Sequence, residues 1–207
     1  MNLELITTLH TRLPTAHGDF VLHYYRTNQD EKEHLALVKG VVAQQEDVPV
    51  RVHSECITGD VFGSRRCDCG EQLARAMQFV ENASVGVVLY LRQEGRGIGL
   101  RDKLKAYNLQ DKHQWDTEEA NVAMGHQADD RNFLAAAEIL YSLGFKTFDL
   151  LTHNPQKANE LTHWGLVINQ VISLEIIPTE FNKKYLETKS QKFGHRNLEG
   201  DQNGKFH

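Results

Sequence analysis

Export signals, membrane spans and a disulfide framework are all missing from this sequence, and each absence narrows the reading. No run of about eighteen apolar residues exists to cross a bilayer, and Met1 to His10 lacks the basic region and apolar stretch of a secretory leader. A cytoplasmic location is the expectation. Only three cysteines occur, Cys56, Cys67 and Cys69, an odd number crowded together and poor material for a disulfide scaffold. The formal charge of −5 lacks the excess of Lys and Arg that coating nucleic acid requires. No GxxxxGK[ST] stretch is present, which excludes a P-loop GTPase. Internal repeats and a Pro/Gly/Ser-rich linker are also lacking, so 207 residues read as one domain large enough to bury a core without staples.

Hydrophobic patterning predicts a mixed α/β fold, a mixed sheet flanked by helices. Val85 to Leu91 (VGVVLYL) has the β-branched and aliphatic run of a strand buried on both faces. After EGRGIG comes a helical stretch in which Leu100, Leu104 and Tyr107 share a face. A second strand–turn–helix unit runs from Phe148 (FDLLT) through His153-Asn154-Pro155 to a C′ glycine at Gly165. Two further helices are predicted over Glu71 to Glu81 and over Phe133 to Leu143, the latter closed by Gly144. The first 55 residues read as strands. From Val50 to Glu55, Val50, Val52 and Ser54 alternate with Arg51, His53 and Glu55 on the opposite face. The polar segment Arg196 to His207 is expected to be disordered, leaving residues 1–195 as the domain.

The cysteines carry the strongest chemical signal. Cys67 and Cys69 flank Asp68, so in an extended segment their thiols share a side, and Cys56, returned by a loop, supplies a third leg of a tetrahedron of the kind zinc favours. A helix starting near Glu71 would place its positive end beside Cys69 and help to ionise it. Three unrelated buried cysteines are one alternative, and a closed structural site with His53 as fourth ligand is another. An open fourth position would let the metal lower the pKa of water, although three thiolates acidify less than three histidines and neighbouring groups would have to help. Local cations occur between Arg92 and Lys105 (Arg92, Arg96, Arg101, Lys103, Lys105).

The stretch Arg51 to Leu73 (RVHSECITGDVFGSRRCDCGEQL) resembles the zinc signature of the GTP cyclohydrolase II family of riboflavin biosynthesis. It is followed in the family's order by LRQEGRGIGL, KAYNLQD, DTEEAN, ADDRNF, LLTHNPQK and YLETKSQKFGH, a likeness from about Leu13 to His195. The resemblance implies a homodimeric α/β enzyme that takes GTP with zinc and magnesium. Such an enzyme releases formate and pyrophosphate and leaves a diaminopyrimidinone ribosylamine phosphate. On matching positions, Cys56, Cys67 and Cys69 would ligate zinc. GTP would meet Arg51, Val52, His53, Ser54, Glu55, Gln72, Glu94, Gly95, Arg96, Thr117, Thr152 and Lys157. Asp129 would accept a proton, Arg131 would serve at the α-phosphate, and Tyr107 would lie near the opening ring. His153 departs from the family's usual Asn, and Asn169 to Asn182 is less typical of it.

The residues themselves leave bland alternatives open. Periodicity alone puts Tyr107 in the core with Leu100 and Leu104. Glu94, past a strand end, has the two acceptors that match the N1 and N2 donor edge of guanine, or is merely solvated. Gly95, Gly97 and Gly99 admit a close ligand or form a turn. Lys157 alone reads as a solvated helix lysine, and Asp130 as the N-cap of a helix from Asn132. A guanidinium is essentially always protonated, so Arg131 either loses a proton to Asp129 and attacks phosphorus or only stabilises phosphoryl charge. Two rival functions remain: a noncatalytic nucleotide-binding relative with a structural zinc, and a metal-dependent phosphohydrolase that leaves the base intact.

Overall fold

A computed structural model describes residues 5–28 and 32–174, with side chains from Leu9 onward. The Tyr185–His195 motif and the polar tail, with most of the atypical 169–182 stretch, lie outside the described residues. Seven strands form one mixed sheet in the order β1-β2-β3-β5-β4-β6-β7. β1 (Leu5–Thr15) and β2 (Gly18–Thr27) make a long hairpin, continued by β3 (His34–Lys39), and β3 pairs antiparallel with β5 (Gly86–Leu91). From β5 onward the pairing is parallel: β4 (Val48–Ser54) lies between β5 and β6 (Phe148–Leu151), and β7 (Ile168–Ile172) closes the edge.

Helices cover both faces, as a parallel sheet requires. The period of two along β5 divides it between two cores. Val87, Leu89 and Leu91 join Val50 and Val52 beneath the helices α5 (Leu134–Ser142) and α6 (Pro155–His163). Val88 faces the opposite side, against Ala76, Met77 and Val80 of α2 (Cys69–Asn82). The alternation expected from Val50 onward is observed through His53, with Arg51 and His53 buried on the face opposite the valines, while the strand ends at Ser54. The short α1 (Ile57–Asp60), α3 (Gly99–His113) and α4 (Thr117–Ala123) complete the set, and no described helix is long and apolar enough to cross a membrane.

The helix boundaries follow local chemistry. Asn154 caps α6 by accepting from the Gln156 N–H, with Pro155 at the first helical position. Asp116 and Glu119 form a reciprocal capping box at α4. Gly144 and Gly165 follow α5 and α6 with φ of 73° and 86°, as their positions predict.

Two expectations need correction. Leu100 and Leu104 do not face the core: they are 39% and 45% exposed, while α3 buries Lys103 and Ala106 instead. Nor does a helix begin at Asn132. α5 starts at Leu134 after Phe133, and Asn132 Oδ1 accepts from the Leu134 N–H, so Asp130 caps nothing. Asp130 instead lies 3.6 Å from His126.

Candidate active site

The parallel strands β4, β5 and β6 all end at one edge of the sheet, and β4 has its following strand on one side and β6 on the other. That is the switch-point arrangement beside which α/β sheets bind ligands. A cleft of about 370 Å³ opens there, lined from the strand ends and from α2, α3 and the 129–131 segment. Every residue that the resemblance assigns to metal, substrate or catalysis lines it except Val52. Val52 has its side chain in the core and turns its carbonyl oxygen to Lys157 Nζ at 2.7 Å.

Cys56 leaves β4, Cys67 ends the loop after α1, and Cys69 opens α2; their sulfurs all lie within 4.8 Å of one another, with 3.6 Å between Cys56 and Cys67. The segment is not extended as expected. Asp68 bends (φ −103°, ψ 10°), so the two thiols converge because the chain turns into a helix rather than by strand alternation. A Cβ on Gly59 would stand 2.9 Å from the Cys67 sulfur and 3.3 Å from that of Cys56, so the cluster needs glycine there.

This donor set fits a tetrahedral zinc, whose bonds of about 2.3 Å place sulfurs roughly 3.8 Å apart. Hydrogen bonds from Cys67 and Cys69 pull the Cys56 thiol down, and the bond to Cys56 pushes the Cys67 thiol up. Zinc takes cysteine as thiolate, so an ion bound here would hold all three deprotonated. His53 stands apart from the cluster. Its Nε2 lies 3.1 Å from both carboxylate oxygens of Asp60, and burial lowers its pKa.

Two side chains organise the floor: Asp60, which the sequence did not mark, and Lys103, which it marked only as one of five local cations. Asp60 accepts from the Cys56 N–H (2.9 Å) and the Tyr90 hydroxyl (2.8 Å) as well as meeting His53, whose ring stacks on Tyr90. Lys103 places Nζ 2.7 Å from Glu94 Oε1 and 3.1 Å from the Cys56 sulfur. Glu94 also accepts from the Ile57 and Gly95 N–H groups at 2.7 and 2.8 Å, so it is anchored rather than solvated. The glycines form a left-handed turn through Gly95, Arg96 and Gly97, with φ of 62°, 58° and 93°. A Cβ at Gly97 would come within 2.9 Å of the Asp130 backbone, and the Asp130 N–H donates to the Arg96 carbonyl.

On one side Arg51 donates to the Leu151 carbonyl at 2.9 Å and to Gln72, whose amide donates to Asp68 at 2.6 Å. Burial brings Arg51 down to about 10, which leaves it charged near neutrality. Opposite, Arg131 Nε donates to Asp129 at 2.8 Å and a second guanidinium N–H closes a two-pronged pair. Burial works to raise the Asp129 carboxyl, but the Arg131 hydrogen bonds and charge outweigh it and hold it below the usual range. Lys157 is buried, against the solvated reading, and Thr152 is buried beside it in the cleft lining. Ser54 accepts from Gln93, Glu55 from Arg92, and Thr117 from Gln110.

Tyr107 lines the cleft and is not a core residue. Its hydroxyl and the Cys56 sulfur both lie 3.5 Å from Thr58 Oγ1, and Arg66 stacks over its ring at 4.5 Å. Burial raises its pKa, so the phenol stays protonated. His153, where the resemblance expects Asn, turns Nε2 to the Leu174 carbonyl.

The strand-end cleft thus joins a metal-fitting thiol triad to buried carboxylate–cation pairs. The GTP cyclohydrolase II family profile matches residues 6–173, and the chain belongs to that family. Among its relatives, the riboflavin biosynthesis protein RibBA of Bacillus subtilis is 52% identical over 184 residues, 88% of this chain and 46% of its own. RibBA of Phocaeicola vulgatus is 49% identical over 183 residues, 88% and 45%. The bifunctional riboflavin biosynthesis protein RIBA 1 of Arabidopsis thaliana is 50% identical over 185 residues, 89% and 34%. The chain thus spans less than half the length of these relatives. A crystal structure of RibBX, a two domain 3,4-dihydroxy-2-butanone 4-phosphate synthase from A. baumannii, aligns over 82% of this chain and 40% of its own, at TM-score 0.46 and 23% identity, too loosely to carry an argument.

Proposed function

We propose that this chain hydrolyses GTP, opening the imidazole ring of guanine with release of formate and pyrophosphate, as a step of riboflavin biosynthesis. The observation that carries the reading is that Thr58 joins a zinc-fitting thiol triad to the protonated Tyr107 hydroxyl within one cleft. Ring opening needs water added at the imidazole carbon and a proton delivered to the departing nitrogen. Zinc held by Cys56, Cys67 and Cys69 would lower the pKa of that water so that it reacts near neutral pH.

The chain's own groups supply the rest. Tyr107 donates the proton to the ring nitrogen. Glu94 uses three of its roughly four acceptor positions internally, so it can take one donor from the guanine edge without releasing a partner. Arg51, Lys157 and Arg131 bring positive charge to a triphosphate. Arg131 is tied to an ionised Asp129, which favours stabilising phosphoryl charge over nucleophilic attack, because that carboxylate is a poor proton acceptor. His53, Ser54, Glu55, Gln72, Gly95, Arg96, Thr117 and Thr152 belong to the same substrate site, and Val52 serves it only through the carbonyl that holds Lys157. Magnesium with the phosphates, a homodimer and a cytoplasmic location complete the proposal.

Formate and pyrophosphate are measured separately from GTP with magnesium, before and after zinc removal and restoration. Zinc-dependent formate is expected. Pyrophosphate without formate would mean a phosphohydrolase, and GTP binding without either product a noncatalytic relative.

A further inference from the structure

Three thiolates bring three negative charges to a dication, so a zinc held by Cys56, Cys67 and Cys69 would be a weaker Lewis acid than one held by neutral imidazoles. A donor that draws electron density off sulfur would offset this. Lys103 has both the chemistry and the position. Its Nζ is 3.1 Å from the Cys56 sulfur and 2.7 Å from Glu94 Oε1, and the Lys103 and Glu94 side chains are only 10% and 9% exposed. Resting on the zinc reading above, we propose that Lys103 is a positioning residue: its ammonium hydrogen-bonds the Cys56 thiolate and lowers the charge of the metal cluster.

Burying a lysine is costly unless its charge is paired, and this one sits between two anionic partners. A thiolate bound to one metal keeps lone pairs able to accept an N–H, and partners outside the ligand shell tune a metal in this way. The surroundings are shaped for the lysine. A Cβ on Gly95 would lie 3.0 Å from Lys103 Cβ, so the glycine clears the way for its stem. One helical turn further along α3 stands Tyr107, whose ring centroid is 5.7 Å from Nζ, which places the ammonium among metal ligand, base-reading carboxylate and proton donor. Simple neutralisation of Glu94 does not account for the sulfur contact. Two backbone N–H groups hold Glu94 independently, so removing the lysine leaves that carboxylate anchored and isolates the effect on sulfur.

The test uses the 207-residue chain loaded with cobalt(II) in place of zinc, with Lys103→Met as the variant. Losing the N–H···S bond should move the thiolate-to-cobalt charge-transfer band to longer wavelength. In the zinc protein, kcat for formate release should fall about 10- to 100-fold while KM for GTP holds. Lys103→Arg, which retains a charged donor, should keep the band near its wild-type position. Should Lys103→Met fail to fold, Lys103→Gln removes the charge and is expected to shift the band in the same direction. A wild-type band that no Lys103 substitution moves would overturn the proposal and leave the zinc reading intact. A wild type without any cobalt–thiolate band would overturn the zinc reading and this proposal with it.

Discussion

At the floor of the cleft, the Lys103 and Glu94 side chains are 10% and 9% exposed, each tied to partners inside the fold. At the mouth, Arg66 pairs with Asp111 across side chains that are 41% and 65% exposed. The same kinds of group, a cation beside a carboxylate, therefore occur in two regimes. In the dry floor a charge left without its partner stays uncompensated, and breaking a buried pair costs several kcal/mol, about 3–5. At the wet mouth water and salt replace the partner, and an exposed pair contributes about 0–1 kcal/mol. Chemistry that needs fixed geometry belongs in the first regime, and admission of substrate tolerates the second.

The largest break in this contrast should come from Cys56→Ser. It removes a sulfur from the triad and the acceptor of Lys103, so formate release should fall more than about 100-fold, beyond the usual cost of outer-shell changes. Circular dichroism and the melting transition should still report a folded protein, because the two apolar cores carry the sheet without a metal. A chain that fails to fold would make the thiol triad a structural staple and move the chemistry elsewhere.

A much smaller effect is expected at the mouth. Arg66→Ala removes an exposed ion pair and a cation over the Tyr107 ring at 4.5 Å, a contact worth about 0.5–1 kcal/mol in such a setting. The melting temperature should barely move, and kcat/KM for GTP should drop less than about tenfold, with a weaker dependence on salt than in the wild type. A loss as large as that of Cys56→Ser would show that the mouth is as strictly organised as the floor.

The two regimes also explain what could be read from the chain alone. The VGVVLYL strand, the Asn154-Pro155 helix start and the thiol triad declare themselves over a few residues, because propensity, capping and ligand type are local. Even there the route differed, since Cys67 and Cys69 meet through a bend at Asp68. Asp60 carries no local mark and Lys103 stands out only as one cation of five, because their burial depends on residues far along the chain: Cys56 is 47 positions from Lys103 and Tyr90 is 30 from Asp60. Periodicity misassigned α3 for the same reason. Its apolar stripe of Leu100 and Leu104 looked inward, whereas the pull of Glu94 and Cys56 on Lys103 turned a polar face to the interior. Lys157 was legible only through the resemblance, since nothing near it announces that the Val52 carbonyl receives its ammonium 105 positions away.

The smallest effect sharpens the contrast through pH rather than mutation alone. Burial depresses the His53 pKa below its ordinary value of 6.5, despite the hydrogen bond to Asp60. The unfolded chain therefore binds this proton more readily than the folded one, and stability rises with pH between the two values. The contribution is complete above about 6.5 and is lost as pH falls from there through the depressed folded value. His53→Gln, which keeps an N–H for Asp60 but has nothing to titrate, removes this dependence. Melting temperatures of the two proteins should run parallel above neutrality, and the wild type should fall more steeply than the variant below about pH 6.5. Parallel curves through the whole acid range would mean that His53 exchanges protons with solvent as a surface histidine does, and that water reaches further into the floor of the cleft than its burial implies.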